Sequence, residues 1–253
     1  PSLHICGQVN RHELNTFDKS TKKVRQVGFQ ETDIVSMAKP ITKFSYQLKN
    51  ENEIRYILEK AFHISQEGRQ GPVLIDIPMD LQRKIVDPKK LKSFFVKKIK
   101  IKNKKLTSQI NKILIHLKKS KRPVIIIGGG IRISKTNKEL LYFLKNMNIP
   151  IVTTWSGVDA ITHNYKNYIG NIGVYGSRAA NFVIQNSDFV LSLGSRLDTR
   201  ITGGVPKNFA RGAVIASVDI DNHELNKKRG LEIKIKINQS LKEFLIILKK
   251  FLK

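Results

Sequence analysis

The sequence predicts an α/β protein: a Rossmann-like parallel sheet flanked by helices, preceded by part of a second α/β domain. Three observations carry this. Runs such as "PVLIDI" (72–77), "PVIII" (123–127) and "DFVLSL" (188–193) are apolar without alternation and rich in Val and Ile, as strands buried on both faces are. Stretches with a helical period lie between them. Polar residues and glycines collect where the strands end, which is where open parallel sheets bind ligands.

Taken in order, "SLHIC" (2–6) reads as a first strand, with Gly7 as a turn. "GFQETDIVSMAKPITK" (28–43) shows neither strand alternation nor a clean helical period and reads as a polar loop punctuated by Pro40. A helix then precedes the strand at 72–77. Asn50 or Asn52 can cap it, Ile54, Ile57, Leu58, Ala61 and Phe62 share one face, and Gly68 ends it. Residues 81–105, lysine-rich and containing Pro88, read as an exposed basic linker between domains at 1–80 and 106–253. Beyond it come a helix (107–119), the strand before Gly128-Gly129-Gly130, a helix (138–148) and a strand (149–154). A helix (178–187), two strands (188–194 and 213–221), a short helix from Asn222, a strand (232–237) and a last helix (240–253) complete the series. The sequence opens at Pro1 on a core-type strand and stops directly after a helix, so a segment of something longer is expected.

Composition narrows the function classes. The 253 residues suffice for one large or two modest domains, and 40% are apolar. No run approaches the ~20 apolar residues of a membrane span, and no leader pattern opens the sequence. The single cysteine, Cys6, fits a reducing compartment, the cytoplasm by default. A formal charge of +26 would attract nucleic acid or anionic membranes. Yet it comes from 34 Lys against 12 Arg, without interleaved aromatics, so neither partner is expected and the charge reads as solvated surface. Six scattered histidines show no ligand spacing, so no metal site is expected. Ser156 lacks a Gly-x-Ser-x-Gly setting and reads as a helix cap, and Trp155 as a packing residue or adenine neighbour.

Four strand ends carry the ligand signal: Gly128-Gly129-Gly130, Thr153-Thr154, the segment from Gly194 to Arg200, and Asp219-Ile220-Asp221. Glycine admits close backbone approach to a phosphate, though Ile133 replaces a third fingerprint glycine, so a simple tight turn fits equally. The Asp pair is placed as a ribose-hydroxyl acceptor would be. A nucleotide-shaped ligand follows.

"ICGQV" (5–9), "FQETDIV" (29–35), "PITK" (40–43), "EGRQGPVLIDIPMD" (67–80), "VIIIGGG" (124–130), "SDFVLSLGSRLDTRITG" (187–203) and "VDIDNHELNK" (218–227), in this order, resemble thiamine-diphosphate-dependent enzymes of the acetolactate synthase group. The resemblance runs along nearly the whole chain. It implies the C-terminal part of a pyrimidine-binding domain at 1–80 and a complete central domain at 106–253. By this resemblance Gln8, Phe29 and Gln30 line the substrate and cofactor entrance, at an active site shared between chains of a homodimer or tetramer. Arg69, Gly128, Gly129, Gly130, Thr153, Thr154, Gly194, Arg196, Asp198, Arg200, Asp219 and Asp221 match central-domain positions that hold FAD, arginines suiting a diphosphate and Asp219 a ribityl or ribose hydroxyl. The implied cofactors are thiamine diphosphate and Mg2+, with FAD possible. The implied substrate is a 2-keto acid, in branched-chain amino acid biosynthesis. The family's cofactor-activating glutamate would precede Pro1 and no Gly-Asp-Gly metal motif occurs in the sequence, so no turnover by this chain alone is expected. An adenine-nucleotide module without catalysis is the alternative.

Departures from the group's pattern broaden the expected substrate. Pro78-Met79-Asp80 stands where acetolactate synthases read Pro-Lys-Asp, removing a cation near the substrate entrance. Asn10 replaces the usual proline, and Ile172 stands where a loop histidine is expected. A general 2-keto-acid decarboxylase or carboligase is the reading these support.

Overall fold

The computed structural model describes residues 1–16, 20, 24–96 and 104–252. They form two compact units, Pro1–Ile99 and Lys100–Lys253.

The first unit is built on three parallel strands, β1 (Ser2–Gln8), β2 (Phe44–Gln47) and β3 (Pro72–Pro78), in the order β1-β3-β2. Strand β1 runs through Gly7, where a turn was expected, because pairing with β3 continues as far as Gln8 opposite Pro78. Two helices separate these strands: α1 (Ile34–Ala38) lies between β1 and β2, and α2 (Ile54–Gln66) between β2 and β3. Helix α1 falls inside the segment expected to be a loop. Asp33 starts it by accepting from the Ser36 amide at 3.0 Å, a local cap that outweighs the weak periodicity. The cap expected of Asn50 is made, but onto a 3-10 turn (Glu51–Glu53) that leads into α2.

Ile57 and Ala61 of α2 are buried with Val73 and Ile75 of β3 and with Leu48 and Leu81. Phe62 departs from its expected place: it is one position beyond the buried Ala61 and its ring is exposed. A short helix α3 (Met79–Gln82) follows β3. Within the lysine-rich stretch, Phe94 lies edge-on to Tyr56 with ring centroids 5.5 Å apart, and its amide donates to Glu59 at 2.7 Å. Residues 97–103 of that stretch lie outside the described residues.

The second unit is doubly wound. Its elements are α4 (Lys104–Lys119), β4 (Pro123–Ile127), α5 (Gly130–Ile133), α6 (Asn137–Lys145), β5 (Ile151–Thr153), β6 (Tyr168–Asn171), α7 (Arg178–Gln185), β7 (Phe189–Leu193), α8 (Thr199–Thr202), β8 (Val214–Asp219), α9 (Asn222–Asn226), β9 (Ile235–Asn238) and α10 (Leu241–Lys249). All six strands are parallel, in the order β6-β5-β4-β7-β8-β9, so the winding reverses between β4 and β7. Alternation along β4 assigns the two cores. Ile125 and Ile127 pack with residues of α4, α6 and α10, such as Ile113, Phe143 and Phe244, while Val124 and Ile126 pack with Ala180 and Ile184 of α7. Strand β6 was not in the expected series. It is a half-buried edge strand of four residues, too short to carry a pattern. Among the described residues no helix is long and apolar enough to cross a membrane.

Candidate cofactor and substrate site

Because its strands are parallel, the second unit gathers the ends of β4, β5, β7 and β8 on one edge, on either side of the switch point. Close backbone approach shapes its centre. A Cβ on Gly128 would lie 2.2 Å from the Gly194 carbonyl oxygen, and one on Gly130 would lie 2.8 Å from Gly194 Cα. The Gly128 amide donates to Leu193 O at 2.9 Å and the Gly130 amide to Gly194 O at 3.0 Å. Both glycines thus let the ends of β4 and β7 touch, and these two amides tie the segment after β4 to the end of β7. The turn after β7 is strained: Gly194 has φ 62° and the buried Leu197 φ 47°, a combination that costs of order 1–3 kcal/mol at the non-glycine residue.

The polar residues of this edge hold one another. Thr153 is fully buried and shares a cluster with Tyr168 Oη (3.0 Å) and Asn171 Oδ1 (2.6 Å). Thr154, also buried, donates its amide to Ile127 O and stands at the N-cap of a 3-10 helix (Trp155–Ala160). Ser156, expected to be the cap, lies inside that helix. Asp198 caps α8 through the Arg200 amide at 3.0 Å. Asp219 Oδ1 accepts from the Asp221 amide, and Asp221 Oδ1 from the amides of His223 and Glu224 at the start of α9.

Arg196 Nε binds Glu224 Oε1 at 3.0 Å, and Glu224 also pairs with Lys227. Burial raises the Glu224 carboxyl, but the Lys227 hydrogen bond and the charges of Arg196 and Lys227 outweigh it and hold it below the usual range. Arg229 donates to Arg196 O at 2.6 Å, and its burial lowers its proton affinity against the pull of Glu224. Arg200 is exposed. So is Trp155, whose ring meets Tyr175 edge-on at 5.4 Å, which corrects its reading as a packing residue.

In the first unit Gln8 is buried at the end of β1 with its amide committed. Its Nε2 donates to Thr32 O at 2.6 Å and to Asp76 Oδ2 at 3.2 Å, while Oε1 accepts from the Val9 amide at 3.0 Å. Gln47 Nε2 donates to the same Asp76 oxygen at 2.8 Å. Burial pushes the Asp76 carboxyl up, against hydrogen bonds from Gln47 and Gln8, with the like charge of Asp33 adding to the rise. Glu31 anchors the neighbouring loop by accepting from the amides of Asn15 (2.6 Å) and Val27 (2.7 Å). Between these ties Phe29, 93% exposed, and Gln30 stand on the surface, and Arg69 is exposed after α2. Arg11 holds Asp80 at 2.7 Å. Burial opposes ionisation of Asp80, but the Arg11 side chain and amide keep its carboxyl below the usual range.

The sequence likeness falls on the same framework. Residues 110–247, which cover the second unit from within α4 to within α10, match the family described as the central domain of thiamine pyrophosphate enzymes. The chain belongs to this family.

Across both units, 241 residues are 35% identical to a probable acetolactate synthase large subunit of Methanococcus aeolicus, covering 93% of this chain and 38% of the relative. The acetolactate synthase large subunit of Buchnera aphidicola subsp. Schizaphis graminum is 35% identical over 257 residues, covering 99% of this chain and 43% of the relative. That of Lactococcus lactis is 36% identical over 200 residues, 79% of this chain and 35% of the relative. The chain thus spans about two fifths of the length of these curated relatives.

Sequence reasoning passed over Asp76, Gln47, Glu224 and Arg229. Asp76 offered a signal: a carboxylate inside "PVLIDIP", a run otherwise fit for a buried strand, needs partners that the fold must supply. Glu224 and Arg229 offered none, since an acidic and a basic residue near a helix are ordinary surface composition.

Proposed function

We propose that this thiamine pyrophosphate enzyme chain is a segment of a thiamine-diphosphate- and Mg2+-dependent 2-keto-acid decarboxylase and carboligase. Its closest chemistry is that of acetolactate synthases, joining two pyruvate molecules into 2-acetolactate and CO2, as in branched-chain amino acid biosynthesis. The observation that supports this above all is the likeness to acetolactate synthase large subunits across both units, over 93% of the chain. Thiamine diphosphate, when bound, supplies the electron sink for the carbanion that decarboxylation leaves.

This chain contributes the entrance. The exposed Phe29 ring offers an apolar wall that excludes water, and the Gln30 amide a donor for a keto-acid oxygen. Gln8 supports that loop from below. Met79 in place of the lysine leaves the entrance less cationic, which favours a broader choice of 2-keto acid. The site is shared between chains of a homodimer or tetramer, without nucleic-acid or membrane partners. The lone Cys6 and the soluble-type composition suit the cytoplasm.

In this reading the carboxyl edge of the second unit takes FAD. The amides of Gly128 and Gly130 do not fit a phosphate cradle, because both are already spent on the carbonyls of Leu193 and Gly194. The exposed Trp155 ring fits a planar heterocycle, Arg200 a diphosphate, and Asp219 and Asp221 sugar hydroxyls.

Formation of 2-acetolactate from pyruvate, with thiamine diphosphate and Mg2+, by the protein that carries this chain is the test. Failure to consume pyruvate or any other 2-keto acid would refute the reading. Trp155 is the only tryptophan, so saturable quenching of its fluorescence by FAD tests the flavin part separately. Flavin binding without keto-acid turnover would leave a nucleotide-binding module.

A further inference from the structure

Asp76 is the one fully buried carboxylate among the described residues, and its Oδ1 has no hydrogen-bond partner there. It lies on β3, the central strand of its sheet, in register with Cys6 of β1 and Gln47 of β2. An apolar residue would fill this position at less cost, since a buried carboxylate with an unpaired oxygen opposes folding. What the carboxylate achieves is visible in its contacts. Oδ2 receives Gln8 Nε2 and Gln47 Nε2, and the second proton of the Gln8 amide goes to the Thr32 carbonyl. With Oε1 taking the Val9 amide, the Gln8 side chain is locked in one orientation.

The loop has further ties of its own, Gly28 N to Glu13 O at 2.8 Å and Gln26 Nε2 to Phe29 O at 3.1 Å, and α1 buries Ala38, but hydrogen bonds from this segment to the strands are few. Ser45 Oγ reaches Val35 O only at 3.4 Å, and Phe29 and Gln30 are exposed. Thr32 is two residues from Gln30 and directly precedes Asp33, the N-cap of α1. A constraint on its carbonyl therefore acts on both the Phe29-Gln30 tip and the start of the helix.

We propose that Asp76 is a positioning residue which, through the Gln8 side-chain amide and the Thr32 carbonyl, fixes the loop presenting Phe29 and Gln30. The functional meaning rests on the reading of those two residues as the substrate entrance; the geometric relay does not.

The test uses the 253-residue chain, labelled with 15N, and reads backbone amide exchange over residues 28–36 together with the side-chain amide resonances of Gln8. Asp76→Ala is expected to accelerate exchange over that window about tenfold or more and to move the Gln8 NH2 pair to the shifts of an exposed glutamine. Asp76→Asn keeps a carbonyl acceptor and is expected to restore both. Gln8→Met, with Asp76 intact, is expected to reproduce the loosening, whereas Gln47→Met, which removes only the second donor, is not. Gln8→Met also decides the matter should Asp76→Ala fail to fold.

Unchanged exchange in Gln8→Met, or equal loosening by Gln47→Met, overturns the relay. If exchange follows the relay but Phe29→Ala and Gln30→Ala leave keto-acid turnover untouched in the protein carrying this chain, the entrance reading fails and the positioning stands.

Discussion

Gly128→Ala should damage the second unit far more than a surface glycine substitution would. The added Cβ meets Gly194 O at 2.2 Å, Gly194 C at 2.6 Å and Ser195 Cα at 2.7 Å. All three are backbone atoms of the adjacent strand end, so no flexible side chain can swing away. Overpacking of a filled site costs ~1–3 kcal/mol. Relief by separating β4 from β7 lengthens the bonds from the Gly128 and Gly130 amides, worth ~0.5–1.5 kcal/mol each. The sum is about 2–6 kcal/mol against the ~5–15 kcal/mol that holds a typical domain. For a unit of this size, at about 2–4 °C per kcal/mol, that corresponds to a fall of about 4–24 °C in Tm. Thermal and urea unfolding followed by Trp155 fluorescence reports this unit specifically, since the only tryptophan lies in it. Gly204→Ala is the control, because a Cβ there has nothing within 4 Å. A loss below about 1 kcal/mol in Gly128→Ala, or one no larger than in Gly204→Ala, would refute the close-approach argument.

Three further outcomes are expected. Asp188 accepts from Ser120, Lys121 N and Arg122 N, and these with the Arg122 charge outweigh the rise that burial gives and depress its carboxyl. Its contribution is therefore present above the ordinary aspartate range and lost as pH falls through the depressed value, and Asp188→Asn should flatten that acid limb in urea unfolding of the second unit. Asp76 has the opposite sign: raised by burial, it withdraws stability as pH rises from the ordinary aspartate range through its folded value, so Asp76→Asn should remove that decline from the first unit. Glu224→Gln, which releases Arg196 and Lys227, should cost about 1–2 kcal/mol, with a smaller difference in 1 M salt; equal costs at both salt concentrations would contradict an ionic origin.

The fold was largely legible because its signals are local. The continuous apolar runs of β3, β4 and β7 could belong only to strands covered on both faces, and α4, α7 and α10 carry clear helical stripes. What escaped was set by context. Helix α1 has five residues, too few to show a period, and exists because Asp33 caps it and the sheet receives it. Phe62 follows the face rule approximately, but a wide aromatic side chain at the margin of the stripe was read as core when the sheet does not reach it. Among the described residues, β6 is an edge strand paired with β5 alone.

The candidate site shows the same division more sharply. Polar and glycine residues at strand ends were legible as a group, and the fold gathers those of the second unit on one edge. Their individual duties were not, because they depend on distances between segments remote in sequence. Gly128 and Gly130 suggest phosphate binding until Gly194, more than sixty residues later, is seen to occupy the space their missing side chains leave. Thr153, Asp198, Asp219 and Asp221 are polar for reasons the sheet edge itself supplies: a buried cluster, two helix caps and a turn. A ligand at this edge therefore meets a surface whose internal hydrogen bonds are already made. On the proposed flavin reading, the ligand need not order these side chains on binding, which lowers the entropic cost of association and leaves Trp155 and Arg200 as its most open contacts. Removing the exposed ring with Trp155→Ala should thus weaken FAD binding without changing the unfolding midpoint of the second unit, followed by circular dichroism. A variant that loses both would make Trp155 a structural residue and remove the strongest support for a flavin at this edge.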